Sequence, residues 1–131
     1  MIPIIKLQSV VLDCQKPAEL AKFYCNFLGG KVELDIESFV VLSLPGGSVN
    51  ISCQYEENYV PPTWPGSKEE QMQMEHLDFS VEDMETAVEY ALSLGAVKAA
   101  AQYWKSGYGP QWITLIDPAG HPFCLCQHEE Q

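Results

Sequence analysis

The chain has 131 residues, about the size of one domain and long enough for a core without disulfide or metal staples. Hydrophobic residues make up 47% of it, which excludes a disordered chain. Seven Lys+Arg against 18 Asp+Glu give a net charge of −11, which opposes nucleic-acid backbones and anionic membrane surfaces alike.

Segment 6–13, KLQSVVLD, is β-branched and predicts a strand. Segment 17–28 opens with Pro17 and is followed by Gly29-Gly30, the asymmetry of a helix start and stop. Its Leu20, Phe23, Tyr24, Phe27 and Leu28 recur at steps of three and four, which is one helix face. Segments 31–35 and 38–44 predict strands, and Pro45-Gly46-Gly47 a turn into strand 49–55. There Val49, Ile51 and Cys53 alternate with Asn50, Ser52 and Gln54, one apolar face and one polar face. Residues 56–73 hold three prolines, several acids and no period, and predict a loop; Tyr59, Val60 and Trp64 give it apolar groups to pack.

Segment 75–81 alternates strictly: Leu77, Phe79 and Val81 face one way, His76, Asp78 and Ser80 the other. Segment 83–94 predicts a helix, with Asp83 at its N-cap and Gly95 at its stop. Residues 96–101, AVKAAA, predict a strand on weak chemistry, because alanine is a poor strand former. A loop with Trp104, Gly107, Tyr108 and Gly109 follows, then strands 111–116 and 122–127 around the turn Asp117-Pro118-Ala119-Gly120, which His121 is expected to cap.

The pattern therefore repeats: strand, helix, Leu-Gly, short strands, a Pro/Gly turn, a last strand. The expected fold class is α+β, one domain over 1–131, with a first βαβββ module at about 4–56, a linker at about 57–73 and a second module at about 74–128. The open faces of two such modules are expected to curl around a shared cavity.

Five cysteines at 14, 25, 53, 124 and 126 form an odd set without a CxxC pair, as expected of thiols in a reducing compartment. Residues 1–6 are too short for the apolar region of a signal peptide, and no apolar run approaches the ~18 residues of a membrane span. A cytoplasmic protein is expected.

Four segments in order, LDCQKPAELAKFYCNFLGG (12–30), YVPPTWP (59–65), MEHLDFSVEDM (74–84) and DPAGHPFCLC (117–126), together with the duplication, resemble the vicinal oxygen chelate superfamily. That group holds the glyoxalases, bleomycin-resistance proteins and extradiol dioxygenases, and the chain is most similar to its glyoxalase-like domain branch. The resemblance implies a homodimer and a small-molecule ligand. It also implies a divalent-metal position whose ligands come from the first and last strands of each module. Matched strand by strand, those positions are Gln8, Asn50, His76 and Cys124. An amide and a thiol stand where metal-dependent relatives carry carboxylates, so no metal or other cofactor is expected.

His76 has two readings, a ligand or general base, or a histidine hydrogen-bonded to Asp78 or a carbonyl. With Asp78 fixing its tautomer it suits proton transfer, and the pair are the candidate catalytic residues. Gln8, Asn50, Ser52, Gln54 and Ser80 read as an uncharged polar lining for a neutral organic ligand, or as side chains that pair with one another. Cys124 and Cys126 point away from the helix if Phe123 and Leu125 pack on it. They read as inert thiols, since nothing nearby favours a thiolate. Trp64 and Trp104 are candidates for stacking on a flat ligand or for an interface, Tyr108 is a further rim aromatic, and Trp112 is expected in the core. The expected function is binding of a small organic molecule without a metal; the alternative is a lyase, isomerase or dioxygenase using His76 and Asp78, with or without a divalent metal.

Overall fold

The computed structural model describes residues 2–47, 49–105, 107 and 111–128. The chain divides into two compact units, Met1–Tyr59 and Val60–Gln131, the boundary falling inside the segment read as a linker. Each unit is one βαβββ repeat with a four-stranded sheet.

In the first unit the strands are β1 (Ser9–Cys14), β2 (Lys31–Asp35), β3 (Phe39–Ser43) and β4 (Asn50–Tyr55), in the order β1-β4-β3-β2. β1 runs parallel to β4, a pairing that requires a crossover, and α1 (Pro17–Leu28) supplies it. Proline occupies the first turn of α1, and Gly29 ends the helix at φ 68°, a left-handed conformation that glycine adopts without a Cβ penalty. Val40 pairs with Cys53 and Leu42 with Ile51, and all four are buried. They form the face under α1, which presents Leu20, Ala21, Phe23 and Tyr24. Each large apolar side chain among them contributes about 1.5–3 kcal/mol when fully buried. Val11 and Ser52 belong to the opposite face.

The second unit repeats the plan with β5 (Leu77–Val81), α2 (Met84–Ser93), β6 (Val97–Lys98), β7 (Trp112–Ile116) and β8 (Pro122–Gln127), in the order β5-β8-β7-β6. Asp83 caps α2, its Oδ1 accepting from the Thr86 N–H at 3.2 Å. Leu115, Phe123 and Leu125 are wholly buried, and Phe79 meets Phe123 edge to face at 5.9 Å. This is the face under α2.

Two expectations change, and the last turn gains a cap. The predicted strand 96–101 shrinks to Val97–Lys98. Beyond it the Gln102 side chain takes over the pairing: Nε2 donates to the Ala99 and Thr114 carbonyls at 2.8 Å each, and Oε1 accepts from the Thr114 N–H at 2.9 Å. An amide side chain satisfies the backbone groups that a run of alanines leaves to it. In the turn at 117–120, Asp117 Oδ1 accepts from the N–H groups of Ala119 and His121. Finally, Trp112 lies opposite Cys126 in register, on the face away from α2, so it is not part of the helix-covered core.

Segment 60–73 folds onto the second unit. Trp64 Nε1 donates to the Ala101 carbonyl at 3.2 Å, and its ring meets Tyr103 edge to face at 5.8 Å. Pro61 packs so closely on the last turn that a Cβ at Gly120 would lie 2.7 Å from the Pro61 Cβ. Trp64 and Pro61 thus have partners in the second unit, whereas Val60 and Met72 are exposed. Among the described residues no helix is long and apolar enough to cross a membrane.

Candidate functional site

Alternation and register assemble a polar group on the α2-free face of the second sheet. Asp78 is the register partner of Cys124, and Cys124 of Thr114, so the three form a row across β5, β8 and β7. Ser80, Cys126 and Trp112 form the next row on the same face. His76 precedes β5 by one residue and reaches back over Asp78, with Nε2 3.1 Å from Asp78 Oδ1. Its Nδ1 lies 3.1 Å from Gln73 Oε1. The Trp64 ring stands 6.4 Å from the imidazole. Gln73 is a participant that periodicity did not reveal, because it lies in the irregular loop ahead of β5.

The electrostatics separate the members of this group. Asp78 is exposed and His76 about a third exposed, while Cys124 is buried. Burial pushes the Cys124 thiol above its ordinary range; the hydrogen bond with Thr114 works against that, and the charge and hydrogen bonding of Asp78 add to it. Cys126 is pushed the same way, by burial first and then by Asp78 and Cys124. Both cysteines are therefore held as thiols, the opposite of what a nucleophile requires.

The donor set is also distinctive. An imidazole nitrogen, a carboxylate oxygen and a sulfur from His76, Asp78 and Cys124 lie within 4.8 Å of one another. Mg2+ and Mn2+ favour oxygen donors, so this set does not suit them; imidazole with sulfur suits softer cations. The sequence and its family resemblance place His76, Asp78 and Cys124 around one ligand; the register makes Asp78 the direct neighbour of Cys124.

The other expected residues are placed as follows. On the first unit, Asn50, Ser52 and Gln54 share a face of β4, as alternation requires. Ser52 is buried and its hydroxyl lies 2.7 Å from that of Ser9, so it is engaged within the sheet. Gln8 is exposed ahead of β1, and register gives Ser9 the face shared with Asn50 and Ser52. Trp104 is half-buried, and its Nε1 is buried without a hydrogen-bond partner among the described residues. Tyr108 and Gly109 lie outside the described residues.

Comparison with known proteins extends this picture. Solved structures share the fold at low sequence identity. A glyoxalase/bleomycin resistance protein/dioxygenase family enzyme from Burkholderia phytofirmans is 16% identical, with TM-score 0.70 over 94% of this chain and 98% of that one. A protein from Agrobacterium tumefaciens is 17% identical, with TM-score 0.71 over 97% and 100%. A genomically encoded fosfomycin resistance protein from Listeria monocytogenes is 13% identical, with TM-score 0.64 over 100% and 95%. Comparison with curated protein sequences gives no match. The glyoxalase-like domain family model matches residues 9–126, from the start of β1 into β8, so both repeats and the row bearing Asp78 and Cys124 fall within it. The chain belongs to the glyoxalase-like domain family.

Proposed function

We propose that this chain is a cytoplasmic protein that binds a small organic molecule on the α2-free face of the second sheet. The observation that carries this reading is the array of Trp64, His76 and Asp78: an indole beside an imidazole that both Gln73 and Asp78 hold in place. An aromatic surface next to oriented donors and acceptors suits a flat, weakly polar ligand. The five cysteines are thiols and not half-cystines, in keeping with a reducing compartment.

The test is thermal unfolding of the chain with fosfomycin, bleomycin and a simple catechol, each in large excess. A ligand at about 100 times its Kd stabilises by about 2.7 kcal/mol, a clear shift in Tm. At least one compound is expected to shift wild type and to lose its effect in His76→Ala and Trp64→Ala. No shift with any of the three, or a shift that both variants retain, overturns the reading.

A second reading, an enzyme of the lyase, isomerase or dioxygenase type, is favoured by the chain Gln73–His76–Asp78. With Asp78 holding Nε2, a bound substrate that displaces Gln73 from Nδ1 meets an oriented imidazole nitrogen able to take its proton. It expects His76→Ala to abolish turnover while leaving the circular dichroism spectrum unchanged.

A further inference from the structure

The Trp64 indole N–H is bonded to the Ala101 carbonyl, and Tyr103 follows two residues later. That bond spends the polar edge of the indole and fixes its plane. The Tyr103 ring stands against it at 5.8 Å, with the two planes 82° apart. The His76 imidazole lies 6.4 Å from the same indole, inclined by 56°. An edge-to-face pair covers at most one of its four ring faces, and Tyr103 is 50% exposed, so ring face stays open to a ligand. The faces of aromatic rings carry the negative part of their quadrupole and attract cations.

His76 joins these rings to a full charge. Its Nε2 lies 3.1 Å from Asp78 Oδ1, and the Asp78 side chain is 61% exposed. A carboxylate offers about four acceptor positions, so the imidazole leaves Asp78 with capacity to spare. No lysine or arginine pairs with it among the described residues. The net charge of −11 adds a field that draws cations toward the chain.

We propose that Trp64, Tyr103 and Asp78 form a recognition site for an alkylammonium group carried by a small organic molecule. The rings take the methyl or methylene groups around the nitrogen, over which its charge is spread, and the carboxylate balances that charge. This inference rests on the small-molecule reading of the same face and adds the charge of the ligand. It makes Tyr103 a specificity-determining residue.

The probes are phenyltrimethylammonium and 2-phenylpropan-2-ol, an uncharged molecule of similar shape. Each is titrated calorimetrically into the full chain. The cation is expected to bind about tenfold more tightly than the alcohol, within the range that ring faces and a charge supply. Asp78→Asn is expected to remove most of that preference and to leave the alcohol unaffected. Tyr103→Leu, which keeps apolar bulk without a ring, is expected to weaken the cation about threefold or more, and Tyr103→Phe to retain it. Equal binding of the two probes overturns the proposal but leaves the small-molecule reading standing, since the site then reads shape and not charge. Failure of the cation to bind overturns it as well, and the unfolding test above decides the broader reading separately. A preference that survives both Asp78→Asn and Tyr103→Leu also overturns it. Should Asp78→Asn not fold, equal cation affinity in Tyr103→Leu and Tyr103→Phe overturns it.

Discussion

At Cys124, burial and a neighbouring carboxylate act in one direction. Both push the thiol above its ordinary value of 9.0, and Cys126 moves the same way. The folded state therefore holds these protons more tightly than the unfolded chain does. Their contribution to stability is complete below the ordinary thiol value and is lost as pH rises through the raised one. The urea midpoint of the metal-free chain is expected to fall as pH climbs past 9.0, and less steeply in Cys124→Ser; equal slopes would contradict the assignment. At this scale the sequence was informative about residue type and face. Alternation alone put His76, Asp78 and Ser80 together, and the cysteines opposite Phe123 and Leu125. It was silent about Gln73, which reaches His76 from a loop without period, and it misplaced Trp112, whose place on a strand suggested core but whose register sets it beside Cys126.

The elements show where local rules suffice. α1 spans Pro17–Leu28, as its proline and glycine punctuation predicts, and α2 begins immediately after the cap at Asp83. β6 shows where they fail. The alanines at 99–101 have little strand preference, and the pairing with β7 continues through the Gln102 amide. Gln102→Ala leaves the N–H of Thr114, itself a buried residue, without this partner and is expected to destabilise the chain by about 1–3 kcal/mol. Chemical denaturation checks it, and a loss below about 0.5 kcal/mol, the ordinary surface-substitution range, would show that water replaces the amide without cost. No periodicity argument finds such a residue, because its role is set by a carbonyl and an N–H twelve positions away.

At the scale of the whole molecule, a small acidic chain exposes an apolar N-terminal stretch. Ile2 and Ile4 are 90% exposed and Ile5 is 85% exposed. Exposed apolar groups in sequence are commonly covered by a partner, and we propose that the partner is a second copy of this chain. Sedimentation at a chain concentration on the order of tens of micromolar is expected to give a dimer, and replacing Ile2, Ile4 and Ile5 together by serine is expected to weaken it. A wild-type monomer under those conditions would rule this out.

The duplication, the helices, the strand alternation and the family were all legible in the residues. They are short-range properties, set by side-chain period and by proline and glycine at fixed offsets. The meeting of Asp78 with Cys124 was not, because it depends on the register of two parallel strands 46 residues apart (124 − 78), joined by a helix and a two-stranded excursion. Only tertiary structure decided that Asp78 stands directly beside Cys124, since side-chain alternation sets a residue's face but not its neighbour across the sheet.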